Sequence, residues 1–186
     1  FIISKNIKTI PFCIMMLFIY KGCATVSFDT INPELLITKG DSLLLAHPDD
    51  AGLRTAIIDA RLALAKSKNS LNEYKKILEI DPKNSTARYH IYMAEGKANH
   101  KKGHKNGQWD AIQSFAKAVA AIDTVGEPYY WAGRAYEKKD ETDFELPLES
   151  YDKALSLYLS SEMRGKVKST RENLLQRKKI YEDFWK

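Results

Sequence analysis

The four residues Asp81-Pro82-Lys83-Asn84 stand between two runs of helical periodicity. Upstream, Tyr74, Ile77, Leu78 and Ile80 fall on one helical face. Downstream, Tyr89, Ile91, Tyr92 and Met93 follow Ser85, a residue suited to cap a helix start. Pro82 has no backbone N–H to donate and disfavours helical geometry at Asp81, so the first helix must end there. Helices joined this tightly have to pack on each other. Done once, this makes a hairpin; done at regular spacing, it makes a stack.

The spacing is regular. Asn32 and Pro33, as cap and first helical residue, open a helix ending near Ala46, with Leu35, Leu36, Leu43 and Leu44 as its stripe. His47-Pro48-Asp49-Asp50 breaks it, and a second helix follows from about Ala51 to Lys66. Ser70 caps a third, which ends at Ile80. Residues 51–84 thus form a unit of 34 residues closed by the Asp-Pro turn. A second unit, counted from Ser85, carries Ala111, Phe115 and Ala118 before Ile122-Asp123; a third carries Tyr129, Ala132, Gly133 and Tyr136, then Tyr151, Ala154 and Leu155. Gly133, Ala111, Ala118 and Ala154 let neighbouring helices approach, and Phe115 and Tyr151 fill the space opposite.

These residues resemble the tetratricopeptide repeat (TPR) family over about residues 51–160, with 33–50 as an additional helix. The resemblance implies an all-α fold: a short right-handed α-solenoid of about three TPR-like helix pairs over 33–161, closed by a capping helix over 162–186. The second unit is about seven residues longer than the family's, and the excess is expected as a loop over Asn99–Gly107; the third has about two more near Lys139–Phe144. Ser70, Arg88 and Glu95 replace the family's Ala and aromatics. In the last segment, Val167, Leu174 and Tyr181 recur every seven residues, with Met163, Thr170 and Phe184 beside them. That stripe suits a helix covering the open end of a stack, and Phe184-Trp185 is its candidate partner-recruiting end.

The N-terminal segment has a different character. Lys5 and Lys8 precede the apolar run Ile10–Tyr20, too short for the roughly 20 residues that a membrane span requires. A charged start, a short apolar stretch and small residues make an export signal over 1–22. Gly22-Cys23-Ala24 resembles a bacterial lipobox, with Tyr20 where an aliphatic residue is usual. The resemblance implies lipidation at Cys23, a tether over 23–32, and a place in the bacterial cell envelope, facing the periplasm and on the outer membrane more than the inner. Secretion with cleavage after Ala24 is the alternative, and a buried helix the third reading.

Charge narrows the partners. Without the three lysines of residues 1–22, the 29 basic residues fall to 26 against 24 acidic, so the body lacks the excess that a nucleic-acid binder needs. Both cysteines, Cys13 and Cys23, lie near the start, so no disulfide forms within the body. No phosphate-cradling Gly-rich loop, H-E-x-x-H or G-x-S-x-G motif is present. Neither catalysis nor a cofactor is expected. His100 and His104 are read as part of the basic loop with Lys101, Lys102 and Lys105 rather than as metal ligands, and Glu137 to Glu145 as a solvated linker.

In proteins resembling TPRs, the first helix of each pair lines a concave groove. Carried onto this sequence, the groove positions include Thr55 and Asp59, then Tyr89, Met93 and Lys97, then Tyr130, Arg134 and Lys138. Aromatic, Met and Arg side chains make good binding anchors, and Arg134 and Lys138, one turn apart, suit an acidic peptide. The expected function is a non-catalytic protein–protein interaction scaffold or assembly factor. The alternative is a small-ligand binding component working with an envelope transporter.

Overall fold

The structure is a computed structural model and describes residues 32–185. The export signal, the tether up to Ile31 and Cys23 lie outside the described residues. Among the described residues eight helices follow one another: α1 Pro33–Ala46, α2 Ala51–Lys68, α3 Leu71–Ile80, α4 Ser85–Lys102, α5 Lys105–Ala121, α6 Glu127–Lys139, α7 Glu145–Ser156 and α8 Ser161–Phe184. No strand joins them among the described residues. The principal packing runs from each helix to the next, and α4 also meets α6. That is the contact pattern of a solenoid, in which each layer touches its neighbours.

Local chemistry sets the boundaries. Asn32, Asp50 and Ser160 cap α1, α2 and α8, each accepting a bond from a first-turn N–H at 2.9–3.2 Å. Two caps differ from the sequence expectation. Asn84, not Ser85, caps α4, its Oδ1 accepting from Ala87 N at 3.1 Å. Ser70 stands at the cap of α3 without a side-chain bond. At the far end of α7, Arg164 reaches back from α8 and donates to the carbonyls of Leu155 (2.8 Å) and Leu157 (2.9 Å), groups that a helix end leaves unpaired. Beside it, Gly126 N and Tyr158 N bond to Tyr158 O and Thr124 O at 2.9 and 3.0 Å, clasping the α5–α6 and α7–α8 turns together.

The core is a row of clusters, one per layer. Leu36, Leu53 and Ile57 close the first; Ala65, Tyr74, Ile77 and Ala87 the second. Met93, Ala111, Phe115, Ala118 and Ala135 form the third, and Tyr130, Leu148, Tyr151, Val167 and Leu174 the fourth. Close approach depends on glycine: at Gly126 a Cβ would stand 2.3 Å from Ala154 O, and two further glycines face aromatic rings. A Cβ on Gly133 would stand 2.6 Å from the Tyr151 ring, and one on Gly96 would stand 2.4 Å from the Phe115 ring. Real Cβ atoms do not come so close, so only glycine lets these helix pairs seat.

The second unit holds the main departure. Its extra residues do not form a loop: α4 continues through Asn99 and His100 to Lys102, and α5 begins at Lys105. Gly103, at φ +83°, is the break, and His104 caps α5 by accepting from Gly107 N at 2.9 Å. Gly96 against Phe115 is the equivalent of Gly133 against Tyr151. It sets α4 in register about one helical turn later than a count from Ser85 gives.

One buried charge has no sequence precursor. Arg61, 2% exposed, donates to Glu73 Oε2 at 2.9 Å, Asp41 Oδ1 at 3.2 Å and Ile37 O at 3.4 Å, joining α1, α2 and α3. Glu73 is also bonded by Lys76 at 3.1 Å. Burial pushes the Glu73 carboxyl up, but the bonds and charges of Lys76 and Arg61 outweigh it and hold it below the usual carboxylate range.

Candidate functional site

The later register of α4 decides which side chains it presents beside α6. Tyr89 and Met93, expected in the groove, are 7% and 4% exposed and pack with Ala111 and Phe115. Burial pushes the Tyr89 hydroxyl far above its ordinary value, and the Glu127 carboxylate adds to this. Tyr130, expected beside them, is wholly buried because α8 lies across it with Val167 and Leu174. These three are core residues. Asp59 is exposed on α2, with Thr55 one turn before it, whereas Lys97, beside Glu127, and Arg134 and Lys138, beside His100, lie along the face that α4 and α6 share.

At the centre of that face is Trp131, half-buried on α6. Its Nε1 donates to Glu127 Oε1 at 3.2 Å, and Lys97 Nζ bonds the same oxygen at 2.8 Å. Lys97 Nζ lies 5.2 Å from the Trp131 ring centre and Lys166 Nζ, from α8, 5.7 Å, both within cation–π range. The His100 imidazole meets the same ring edge-on at 5.9 Å. Helical spacing could have shown part of this: Glu127, Trp131, Arg134 and Lys138 recur at four, three and four residues on one face. The contribution of Lys166 could not be read that way, since it depends on how α8 docks.

Next to Trp131 is a cavity of about 250 Å³ lined by His100, Arg134, Glu137, Lys138, Glu141 and Arg177. Glu137 does not belong to a solvated linker. It sits on α6, accepts the buried Tyr151 hydroxyl, and is bonded by Arg177 Nη1 at 2.8 Å. Arg134 Nη1 donates to Tyr130 Oη at 3.3 Å, and its Nε lies 3.9 Å from Glu137. Lys138 has no carboxylate within ion-pair distance among the described residues. His100 is half-buried; burial pushes its imidazole down, the Gln108 bond opposes this, and the charges of Lys138 and Arg134 push it down further. A larger hollow of about 730 Å³ lies between α5 and α7, against Tyr129, Ala132 and Tyr136. Those residues are on the opposite side of α6 from Arg134 and Lys138.

Among the described residues no group of three or more His, Cys, Asp and Glu could hold a metal ion, and no helix is long and apolar enough to cross a membrane. No protein-family model matches the chain, and no curated protein does. Among solved structures, the crystal structure of MamA protein is similar over 77% of this chain and 82% of its own, at 19% identity and a TM-score of 0.36. The architecture therefore rests on the packing described above. The fold is an α-solenoid of TPR-like helix pairs. Its last pair, α6 and α7, is covered by α8, and the covering helix brings Lys166 and Arg177 to the cationic face.

Proposed function

We propose that this chain is a non-catalytic interaction scaffold whose α4–α6–α8 face holds an acidic segment of a partner protein, and that a lipid on Cys23 tethers it in a bacterial cell envelope. The observation that carries the first part is the Trp131 ring with Lys97 and Lys166 over it and Arg134, Lys138 and Arg177 beyond. A tryptophan platform supplies apolar area at little entropic cost, and the flanking cations select carboxylates and repel basic sequences. The tether rests on Lys5, Lys8, the apolar run and Gly22-Cys23 alone.

Two experiments test the parts separately. Selection from a display library of short peptides should enrich sequences rich in Asp and Glu, and the Trp131→Ala, Lys97→Ala double variant should lose them. Enrichment of Lys- and Arg-rich sequences, or full retention by the double variant, rejects the acidic-segment reading. Cys23→Ala should abolish labelling by a fatty-acid analogue and release the protein from membranes; unchanged labelling removes the lipid tether.

A further inference from the structure

The cavity beside Trp131 is built differently from the open face. Arg134 and Lys138 enter it from α6, Arg177 from α8 and His100 from α4. Two acids share it. Glu137 is engaged by the Tyr151 hydroxyl and Arg177, which leaves Glu141 at its edge. From α5, the element behind His100, Gln108 supplies an amide and no charge; Lys97 on α4 is one turn away, over Trp131.

Gln108 also fixes the form of the imidazole. Its Nε2 donates to His100 O at 3.1 Å, so its Oε1, 2.6 Å from His100 Nδ1, must accept. The proton of the neutral ring is therefore on Nδ1. His100 Nε2 is a bare acceptor with no hydrogen-bond partner among the described residues. Arg134, Lys138 and Arg177 still outnumber Glu137 and Glu141, and a cavity with that cationic excess and one neutral acceptor suits an anion that carries a proton. Around pH 6 to 6.5 a carboxylate has none to give, whereas a phosphomonoester, with its second pKa near 6, still carries one in an appreciable fraction of molecules.

We propose that the cavity among His100, Arg134, Lys138 and Arg177 is a subsite for a phosphomonoester group borne by the acidic partner segment, with His100 Nε2 accepting the phosphoryl O–H. The proposal rests on the peptide reading of the neighbouring face. The guanidinium groups and Lys138 take the phosphoryl oxygens. Passage of the proton to Nε2 gives an imidazolium beside a dianion with no net gain or loss of protons. Above the phosphate's own pKa the free ligand has lost that proton, so binding must then take one from solvent and weakens as pH rises.

Phenyl phosphate and benzoate are matched probes, alike in the ring and different in the head group. In titrations followed by imidazole NMR near pH 6.5, phenyl phosphate should bind about tenfold or more tightly than benzoate, as expected for added charge-assisted hydrogen bonds. Its affinity should fall by up to about tenfold per pH unit above that. The titration midpoint of His100 should rise on binding, while that of His90, ten residues and about 15 Å back along α4, should not. Lys138→Ala should weaken phenyl phosphate about tenfold, and His100→Gln should flatten the pH dependence. Equal binding of the two probes, or an unmoved His100, overturns the proposal. If acidic peptides still bind through Trp131 while phenyl phosphate is ignored, the subsite falls and the peptide reading stands. Binding to phosphatidate vesicles with none to a phosphoserine peptide rejects the partner segment as the carrier.

Discussion

The ring of Phe115 occupies the space that a Cβ on Gly96 would need, with Cε1 2.4 Å from that position, and the ring of Tyr151 stands in the same relation to Gly133. Gly96→Ala and Gly133→Ala must each shift a buried ring or spread a helix pair. Overpacking costs about 1–3 kcal/mol, offset in part by the roughly 1 kcal/mol that Ala gains over Gly inside a helix. Gly165, on α8, has nothing within 4 Å of its Cβ position, so Gly165→Ala keeps only the gain. Urea unfolding should place two variants below the parent and the third level with it or above. Equal behaviour of all three would mean that the close approach is not what the glycines serve.

How much of this was legible follows from the same glycines. The Asp-Pro turn, the 34-residue unit and the Gly133–Tyr151 pairing are local or nearly periodic, and they lead to an all-α stack with α8 as its cover. Counting from Ser85 misplaces α4, because the count ignores the turn by which that helix is longer. Gly96 was the available marker: it precedes Phe115 by 19 residues, as Gly133 precedes Tyr151 by 18. Aligned on the glycines, the groove side of α4 passes from Tyr89 to His90, Lys97 and His100. Other features had no local signal. Tyr130 is buried by α8, more than 30 residues away in sequence, and Arg61 is paired with Asp41 and Glu73 from two other helices.

Arg61 and Glu73 should respond asymmetrically to substitution. Removing the Glu73 carboxylate leaves a buried guanidinium with only the exposed Asp41 as its carboxylate partner, and Glu73→Ala is expected to cost about 3 kcal/mol. Asp41 is 88% exposed at the same guanidinium, so Asp41→Asn should cost under about 1 kcal/mol. Replacing both members, Arg61→Met with Glu73→Leu, removes two desolvated charges together and should return stability to near the parent level. Chemical denaturation of the four proteins checks the order; a double variant as unstable as Glu73→Ala would contradict it.

Glu137 joins the binding face to the cover. Glu137→Gln keeps an acceptor for the Tyr151 hydroxyl and gives up the charge opposite Arg177, which is half exposed; the loss should be under about 1 kcal/mol. Glu137→Ala leaves that hydroxyl buried without an acceptor and should cost about 1–3 kcal/mol. Hydrogen exchange should localise the difference to α6–α8. If Gln and Ala at this position are equally destabilising, the Tyr151 bond is not the important one.

Two histidines give the fold a pH dependence whose sign is fixed. His90 stacks on Tyr74 at 4.4 Å and His100 bonds Gln108, and burial is the first cause that pushes both below the ordinary imidazole value. For His90 the Glu127 carboxylate opposes this and Lys97 adds to it. The folded protein therefore binds fewer protons than the unfolded chain in the window between the lowered values and the unfolded value of about 6.5. Stability from these groups is fully present above that window and is lost as pH falls through it. Glu73, held below the carboxylate range, acts only at lower pH, its contribution disappearing as pH drops through its folded value. Urea midpoints measured between about pH 7.5 and 5.5 should decline in the parent, and His90→Gln with His100→Gln should flatten that decline. Both rings are half-buried rather than enclosed, so the slope is modest, and a double variant with the parent's slope would assign it to other groups.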